Sequence, residues 1–160
     1  MLTSVKESYD RLLKSKEFSK EGYLCSLFLV SDIKDLKNSN WQIDFYNKDS
    51  DTITSYIMSE NIESSPKSEV FKEENSEIEE LNIKDVKITF KNAVKKAEEI
   101  LKKYNEEAVK IIVVLQKQKE SIWNISYLTS KFNLINIKIN TKDGKLIDEK
   151  IISILSFEKE

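Results

Sequence analysis

Two short stretches of this chain match each other without a gap: WQIDFY at residues 41–46 and WNISYL at residues 123–128. In each stretch a tryptophan, an isoleucine and a further aromatic residue occupy alternate positions. Alternate side chains of a β-strand point to the same face, so each stretch should place its three large residues on one side. We therefore expect two equivalent strands, each with its apolar face toward the core.

The match continues into the neighbouring segments. At equal distances from each tryptophan, two isoleucines predict a further core-facing strand in each copy: Ile53 and Ile57 in the first, Ile135 and Ile139 in the second. An amphipathic helix precedes each copy, with a capping box at residues 4–7 for the first and Thr89 as the N-cap of the second. Apolar runs at residues 23–30 and 109–115 predict a buried strand after each helix.

The order helix–strand–strand–strand thus occurs twice. Such repetition indicates one supersecondary unit that has been duplicated. A helix and a sheet that each have one apolar face bury those faces against each other. The predicted fold class is therefore α+β, with two α-β-β-β repeats, each a helix packed on an antiparallel sheet.

The predicted organisation is a first repeat at residues 1–62, an acidic connector at 63–84 and a second repeat at 85–160, packed as one body. The connector contains Pro66, several serines and acidic pairs, and few apolar residues, which favours partial disorder. Four apolar residues nevertheless leave the docking of a short strand or turn open: Val70, Phe71, Ile78 and Leu81.

The composition excludes several kinds of chemistry. The chain has no histidine, which excludes Ser-His and Cys-His nucleophilic sites and zinc sites with imidazole ligands. Cys25 is the only cysteine, so an intrachain disulfide is excluded, and its apolar surroundings predict a buried, inert thiol. The acidic pairs lack the spacing of a calcium loop, and the two glycines form no phosphate-binding loop. We expect no catalytic residue, no cofactor and no metal site.

Charge and hydropathy limit the partners and the location. The net charge of -2 and the single arginine, Arg11, argue against nucleic acid. No segment approaches the roughly 20 apolar residues that a membrane helix needs. Because charged residues begin at Lys6, the N-terminus does not have the form of a signal peptide. The expected location is cytoplasmic as the chain stands, or extracytoplasmic if a leader or anchor has been removed.

The second copy resembles the PepSY domain, a small helix-on-sheet module related in shape to cystatin-like folds. The resemblance lies in the Trp-x-Ile-x-aromatic strand at Trp123, the isoleucine-rich strand after it, and the DGKLI turn at residues 143–147. It covers residues 89–147 and reaches the first copy only through the repeat, where Ile62 stands at the position of Gly144. The resemblance implies a non-catalytic module, often tandem and extracytoplasmic, that modulates peptidases or binds other proteins.

Three functional hypotheses follow. The leading one is a non-catalytic protein-binding or regulatory module of PepSY-like type, with modulation of a peptidase as one form. The second is a small cytosolic chaperone or adaptor that offers a sheet edge to an extended client segment. The third is an enzyme that uses only carboxylates and tyrosines.

The tryptophans themselves are open to two interpretations, a binding platform or core packing with a locally bonded indole N–H, and their repetition favours the core. The opposite face of each tryptophan strand is then the candidate surface for another polypeptide or a second copy of the chain. Its residues are mixed polar and apolar: Gln42, Asp44, Tyr46, Asn124, Ser126 and Leu128. We expect this sheet face or the sheet edges, rather than the lysine-rich helix faces, to bind a partner.

Overall fold

Nine strands form one antiparallel sheet in the computed structural model of this protein, which describes residues 2–65, 67–69 and 77–155. The strands are β1 (Tyr23–Asp32), β2 (Gln42–Asn47), β3 (Thr52–Met58), β4 (Ile62–Ser64), β5 (Ser68–Glu69), β6 (Ala108–Gln118), β7 (Glu120–Thr129), β8 (Asn133–Asn140) and β9 (Leu146–Ser153). The helices are α1 (Val5–Leu13) and α2 (Phe90–Leu101), with 3-10 turns at Ile33–Asn38, Ile83–Asp85 and Lys102–Tyr104. The predicted α+β class with an antiparallel sheet is confirmed.

The strands follow the order β4-β3-β2-β1-β6-β7-β8-β9, and β5 also pairs with β3. The first long strand after each helix therefore lies in the middle of the sheet, where β1 pairs with β6 and Leu29 stands opposite Val113. Residues from both predicted repeats thus belong to one continuous sheet. The division at residues 62 and 84 remains a prediction.

Both helices begin where the sequence places their caps. The Ser4 hydroxyl accepts a hydrogen bond from the Glu7 amide at 3.1 Å, and the Thr89 hydroxyl accepts one from the Asn92 amide at 3.2 Å. These side chains satisfy amides that have no partner inside the helix.

The core lies between the two helices and one face of the sheet. Alternate strand residues supply the sheet side, including Leu27, Ile43, Val113, Ile125 and Ile137, all of them fully buried. The helices contribute small or aliphatic side chains to the same cluster: Val5, Leu12, Ala93, Ala97 and Ile100.

The predicted register of the third strand in the first half is wrong. Met58, not Ile57, stands opposite Trp41, because the Met58 amide donates to the Trp41 carbonyl at 2.9 Å. Tyr56 and Met58 are therefore buried, whereas Ile57 is 38% exposed on the other face. The turn between β2 and β3 covers residues 48–51, one residue more than the 130–132 turn between β7 and β8. A slip of one residue moves every side chain of a strand to the opposite face.

Part of the predicted connector packs on the sheet. Leu81 is 2% exposed, and its amide donates to the Leu24 carbonyl at 2.8 Å. The Tyr23 hydroxyl donates to the Ile78 carbonyl. Residues 66 and 70–76, which include Val70 and Phe71, lie outside the described residues. The partial disorder expected of them, and the docking of Val70 and Phe71, therefore stay predictions.

A bilayer-spanning helix requires a long apolar segment. Within residues 2–65, 67–69 and 77–155, no helix has the length and the hydropathy to cross a membrane.

Candidate functional site

Both tryptophans lie on the helix-covered face of the sheet. Trp41, directly before β2, is 1% exposed and Trp123, in β7, is 0% exposed. The Trp41 indole N–H donates to the Thr3 carbonyl at 3.0 Å, and the Trp123 indole N–H donates to the Ile88 carbonyl at 2.9 Å. Each acceptor belongs to the residue directly before a helix N-cap. The core interpretation of the tryptophans is confirmed, and each indole also holds the start of a helix against the sheet.

The two tryptophans meet at the centre of the molecule. Their ring centroids lie 6.1 Å apart, and the Phe90 ring lies 5.1 Å from Trp41 and 5.6 Å from Trp123. These distances are in the range of favourable aromatic pairs. We call Trp41, Phe90 and Trp123 the aromatic cluster.

A groove of about 1270 Å³ opens between the N-terminal ends of α1 and α2, with the Phe90 ring in its wall and the fully buried Trp123 ring at its base. Other apolar side chains continue that wall, among them Leu2, Val5, Leu36, Val86, Ile88 and Val94. Most of them are only half-buried. We call this feature the helix-start groove.

The charges of the helix-start groove are mainly positive. Four exposed lysines contribute to its lining, Lys6, Lys37, Lys91 and Lys95, against a single acidic residue, Glu98. None of the four lysines forms an ion pair with another residue in the described part of the chain. The sequence reasoning missed this groove because its walls come from four separate segments. The lysines of α2 were recognised in the sequence, but they were assigned to a solvent-exposed face of the helix.

The six predicted binding residues lie on the face of the sheet away from α1 and α2, which we call the open face. Gln42, Asp44 and Tyr46 alternate with buried core residues of β2, and Asn124, Ser126 and Leu128 do so in β7. Gln42, Asn124, Ser126 and Leu128 are half-buried. Asp44 and Tyr46, however, are buried, at 8% and 3% exposed.

Asp44 is enclosed by its own hydrogen bonds. Its carboxylate accepts from the Ser26 hydroxyl at 2.9 Å, from the Gln42 amide at 3.0 Å and from the Ser55 hydroxyl at 2.5 Å. These bonds join β1, β2 and β3 on the open face. A carboxylate satisfied in this way supports the sheet, because a buried charge needs such partners.

Tyr46 packs against a neighbouring ring that is itself bonded to the connector. Its ring packs edge-on against Tyr23 at 5.6 Å, and its hydroxyl donates to Asp51. Tyr23 is in turn bonded to the Ile78 carbonyl of the connector. The contact with Tyr23 joins β2 to β1 and cannot be read from the alternation of β2, so the sequence did not predict the burial of Tyr46.

A second polar group lies on the open face of β7 and β8. The Asn136 amide donates to the Asn124 side-chain carbonyl at 2.6 Å and to the Ser126 hydroxyl at 2.8 Å. Asn136 itself is 8% exposed. Two of the predicted binding residues are thus held in fixed positions by a buried amide.

Between these two polar groups the open face is apolar. Phe28 stands opposite Val114 and Val30 stands opposite Ile112 across the β1–β6 pair. Val30 is 44% exposed and the other three are half-buried. We call these four residues the apolar strip. Both strands are apolar at consecutive positions, so apolar side chains on both of their faces could be read from the sequence. Such runs are typical of strands buried on both faces, however, and did not indicate an exposed strip.

Cys25 is a buried thiol, as predicted. The residue is 6% exposed, and its Sγ donates to the Asp44 carbonyl at 3.4 Å. Burial, and secondarily the Asp44 charge, raises the pKa of the thiol to about 12. The thiolate needed for nucleophilic chemistry is therefore almost absent near neutral pH.

Tyr127 carries a buried hydroxyl that has no hydrogen-bond partner among the described residues. The residue is 1% exposed in the core beneath α2. Burial raises the pKa of its phenol, with a smaller contribution from Glu98. The phenol stays protonated and is an unsatisfied polar group within the core.

Comparisons with known proteins bear on the fold. No protein-family model matches the chain, and no curated protein matches it. The crystal structure of a putative lipoprotein from Clostridium difficile 630 is similar, with a TM-score of 0.58 and 15% sequence identity. The alignment covers 90% of this chain and 91% of that chain. At this identity the likeness concerns the fold alone.

Proposed function

We propose that this protein is a non-catalytic, PepSY-like binding protein that engages another polypeptide through the open face of its sheet. The observation that carries the proposal is the apolar strip, which lies on a face that neither α1 nor α2 covers. Four large apolar side chains in two cross-strand pairs remain partly in water there, and association with a partner would remove them from it.

The surroundings of the apolar strip suit a protein partner. Protein interfaces combine an apolar centre with a polar rim. Gln42 borders the strip on one side, where it stands opposite Phe28, and Asn124 and Ser126 border it on the other. Because internal hydrogen bonds already hold these polar side chains, little side-chain freedom is lost on binding.

Duplication of one unit is part of the same proposal. The order of helices and strands, the caps at Ser4 and Thr89, and the two equivalent indole bonds support a pair of α-β-β-β repeats. The repeats would be joined through the β1–β6 pair. The PepSY-like assignment rests on the residues of the second copy, and a peptidase is one polypeptide that such a module would regulate.

Site-specific photo-crosslinking tests the binding face. A photoreactive residue at position 30, in the apolar strip, should give a discrete adduct with one partner or with a second copy of the chain. Ile151 on β9 is the matched control, because it is also 44% exposed but stands opposite the core residue Ile135, on the helix side of the sheet. Adducts of equal yield from both positions, or none from position 30, would refute the open face as the binding surface.

A chaperone or adaptor that binds an extended client is the second candidate. At one margin of the sheet β3 is flanked by the short strands β4 and β5, whereas β9, at the other margin, is 8 residues long. An edge strand of that length offers backbone groups for strand addition. Hydrogen exchange with the captured partner separates the two modes, since new protection confined to the β9 amides would favour the edge.

An extracytoplasmic location is proposed over the cytoplasmic one expected from the sequence. The support is the similar structure from Clostridium difficile 630, which is that of a protein named a putative lipoprotein. Fractionation of native cells with an antibody against the protein tests this, and recovery solely with cytoplasmic markers would refute it.

A further inference from the structure

The helix-start groove lies on the opposite side of the sheet from the apolar strip, and the proposed polypeptide binding does not use it. Its volume of about 1270 Å³ exceeds that of many small-molecule sites, which span roughly 300–1,000 Å³. The wall is apolar, and the lysines Lys6, Lys37, Lys91 and Lys95 belong to the same lining. An apolar groove bordered by cations matches an amphipathic anion.

We propose that the helix-start groove binds a single-chain anionic lipid, of which a fatty acid is the simplest form. The acyl chain would lie along the half-buried wall formed by Leu36, Val86 and Val94. Removal of both the chain and this wall from water favours binding. The carboxylate would lie at the mouth of the groove, near the lysines.

The electrostatics of the groove support an anionic headgroup. Four lysines outnumber the single Glu98 in the lining. The N-terminal ends of α1 and α2, helices of 9 and 12 residues, open onto the same groove, and helix N-termini favour anions. A cationic amphiphile with the same chain would meet repulsion from these groups.

Few uncharged polar side chains line the groove, which favours an acyl chain over an extended peptide. A bound peptide must find partners for its backbone amides and carbonyls. All three hydroxyls in the lining already form hydrogen bonds. Those of Ser4 and Thr89 accept from helix amides, and that of Thr3 bonds to the Ser8 hydroxyl. An acyl chain carries no such groups. An acidic amphipathic helix satisfies its own backbone and is the rival occupant that the experiment must exclude.

Tryptophan fluorescence measures the binding directly. The chain has 2 tryptophans; Trp123 lies buried at the base of the groove, and Trp41 contacts Trp123 within the aromatic cluster. Dodecanoate brominated along its chain, below its micelle concentration, should quench this emission saturably, and unbrominated dodecanoate should relieve the quenching. Octanoate should compete at least tenfold more weakly than dodecanoate, and dodecyltrimethylammonium should not compete.

Charge reversal tests the position of the headgroup. Lys91→Glu combined with Lys95→Glu should weaken dodecanoate binding at least tenfold. The matched control is Lys16→Glu with Lys48→Glu, which makes the same change in net charge at exposed positions outside the groove and should leave binding within twofold. Circular dichroism verifies that both variants fold. The competition experiments with octanoate and dodecyltrimethylammonium use the wild-type chain, so they test the proposal even if a variant fails to fold.

Three outcomes would overturn the proposal. The first is the absence of saturable quenching by the brominated fatty acid. The second is equal competition by the cationic amphiphile. The third is tight binding of a synthetic acidic amphipathic helix that dodecanoate does not displace. None of these outcomes affects the crosslinking result expected at position 30, so the two proposals fail independently.

Discussion

At the scale of single residues, the indoles of Trp41 and Trp123 each fill the core and also fix the start of a helix. Each ring fills the core, and each N–H donates to the carbonyl before a helix cap, Thr3 or Ile88. A buried indole N–H without an acceptor would lower the stability of the fold. Each bond therefore favours the arrangement in which the start of the helix lies beside its tryptophan.

Truncation of Trp123 to alanine should therefore lower the free energy of unfolding by about 3–5 kcal/mol. The side chain is 0% exposed, so its loss leaves a cavity and an unpaired Ile88 carbonyl. Urea denaturation followed by circular dichroism measures the loss. Leu13→Ala, at a residue 41% exposed on the last turn of α1, is the control and should cost under about 1 kcal/mol. An equally small loss for Trp123 would contradict its role in the core.

Tyr127 and Tyr56 provide a matched pair of buried phenols, each 1% exposed. The Tyr56 hydroxyl donates to the Ser19 hydroxyl at 3.0 Å and accepts from the Ser19 amide at 3.1 Å, whereas the Tyr127 hydroxyl has no partner among the described residues. Tyr56→Phe should lower the free energy of unfolding by about 1 kcal/mol, and Tyr127→Phe should leave it unchanged or raise it by up to about 1 kcal/mol. Equal losses in thermal and urea unfolding would mean that the Tyr127 hydroxyl is satisfied.

Cys25 should make stability fall at high pH. Its pKa is raised to about 12 in the folded chain, from about 8.5 in an unfolded chain. The contribution is therefore complete below about pH 8.5 and is lost as pH rises toward 12, because only the unfolded state ionises in that range. Between pH 7 and 10 the wild type should lose about 2 kcal/mol more than Cys25→Ala. Identical losses in the two proteins would show that the thiol ionises in the folded state.

At the scale of elements, turn length decides which strand residues reach the core. The β2–β3 and β7–β8 hairpins begin with matching sequences, yet their turns differ by one residue. The longer turn includes Asp51 at a φ of 54°, and the shorter one includes Phe132 at 61°. In consequence β3 buries Tyr56 and Met58, whereas β8 buries its isoleucines.

The entry into β1 requires a glycine. Gly22 has a φ of 77°, and a Cβ there would clash with the Tyr46 carbonyl oxygen, which belongs to the partner strand. Gly144 has a similar φ of 72°, but its Cβ would lie 3.5 Å from the nearest atom, in the Ile88 side chain. Both substitutions by alanine incur the left-handed backbone cost of about 1–2 kcal/mol.

Gly22→Ala should therefore lose clearly more stability than Gly144→Ala, with a total above roughly 3 kcal/mol once the contact with the backbone is added. Gly144→Ala should remain near the backbone cost alone. Parallel urea titrations of the two variants measure the difference. Similar losses in both would mean that the β1–β2 pair moves apart at Gly22 without cost.

At the scale of the whole molecule, the β1–β6 pair joins the two halves of the sheet, β1 to β5 on one side and β6 to β9 on the other. It is formed by central strands, and the aromatic cluster crosses it, because Trp41 of the first half contacts both Phe90 and Trp123 of the second. The apolar strip belongs to the same strand pair and lies on the opposite face of the sheet. Separation of the halves would expose the aromatic cluster, divide the apolar strip and create two new sheet edges.

Fragments 1–65 and 77–160, expressed separately, should consequently fail to fold as stable monomers. Each has the size at which a domain buries only about 60% of its surface and is marginal. Far-UV circular dichroism with thermal melting should show no cooperative transition for either fragment, and an equimolar mixture should recover one. A cooperative transition in an isolated monomeric fragment would contradict the shared core, and the intact chain provides the reference.

The sequence by itself determined the local features. Both N-caps, the alternation that buries Trp41 and Trp123, the buried thiol and the α+β class could be predicted, because each depends on residues close together in the chain. The six candidate binding residues were assigned to the correct face of their strands for the same reason. Their exposure was predicted only in part, since Gln42 and Asn124 are half-buried but Asp44 is buried.

Only the tertiary structure decided the remainder. The register of β3 depends on a turn one residue longer than its counterpart, and the burial of Tyr46 depends on Tyr23 and its bond to the connector. The apolar strip and the helix-start groove exist because distant segments meet, β1 with β6 and the start of α1 with that of α2. Periodicity reports on the neighbours of a residue along the chain, whereas a surface is set by its neighbours in space.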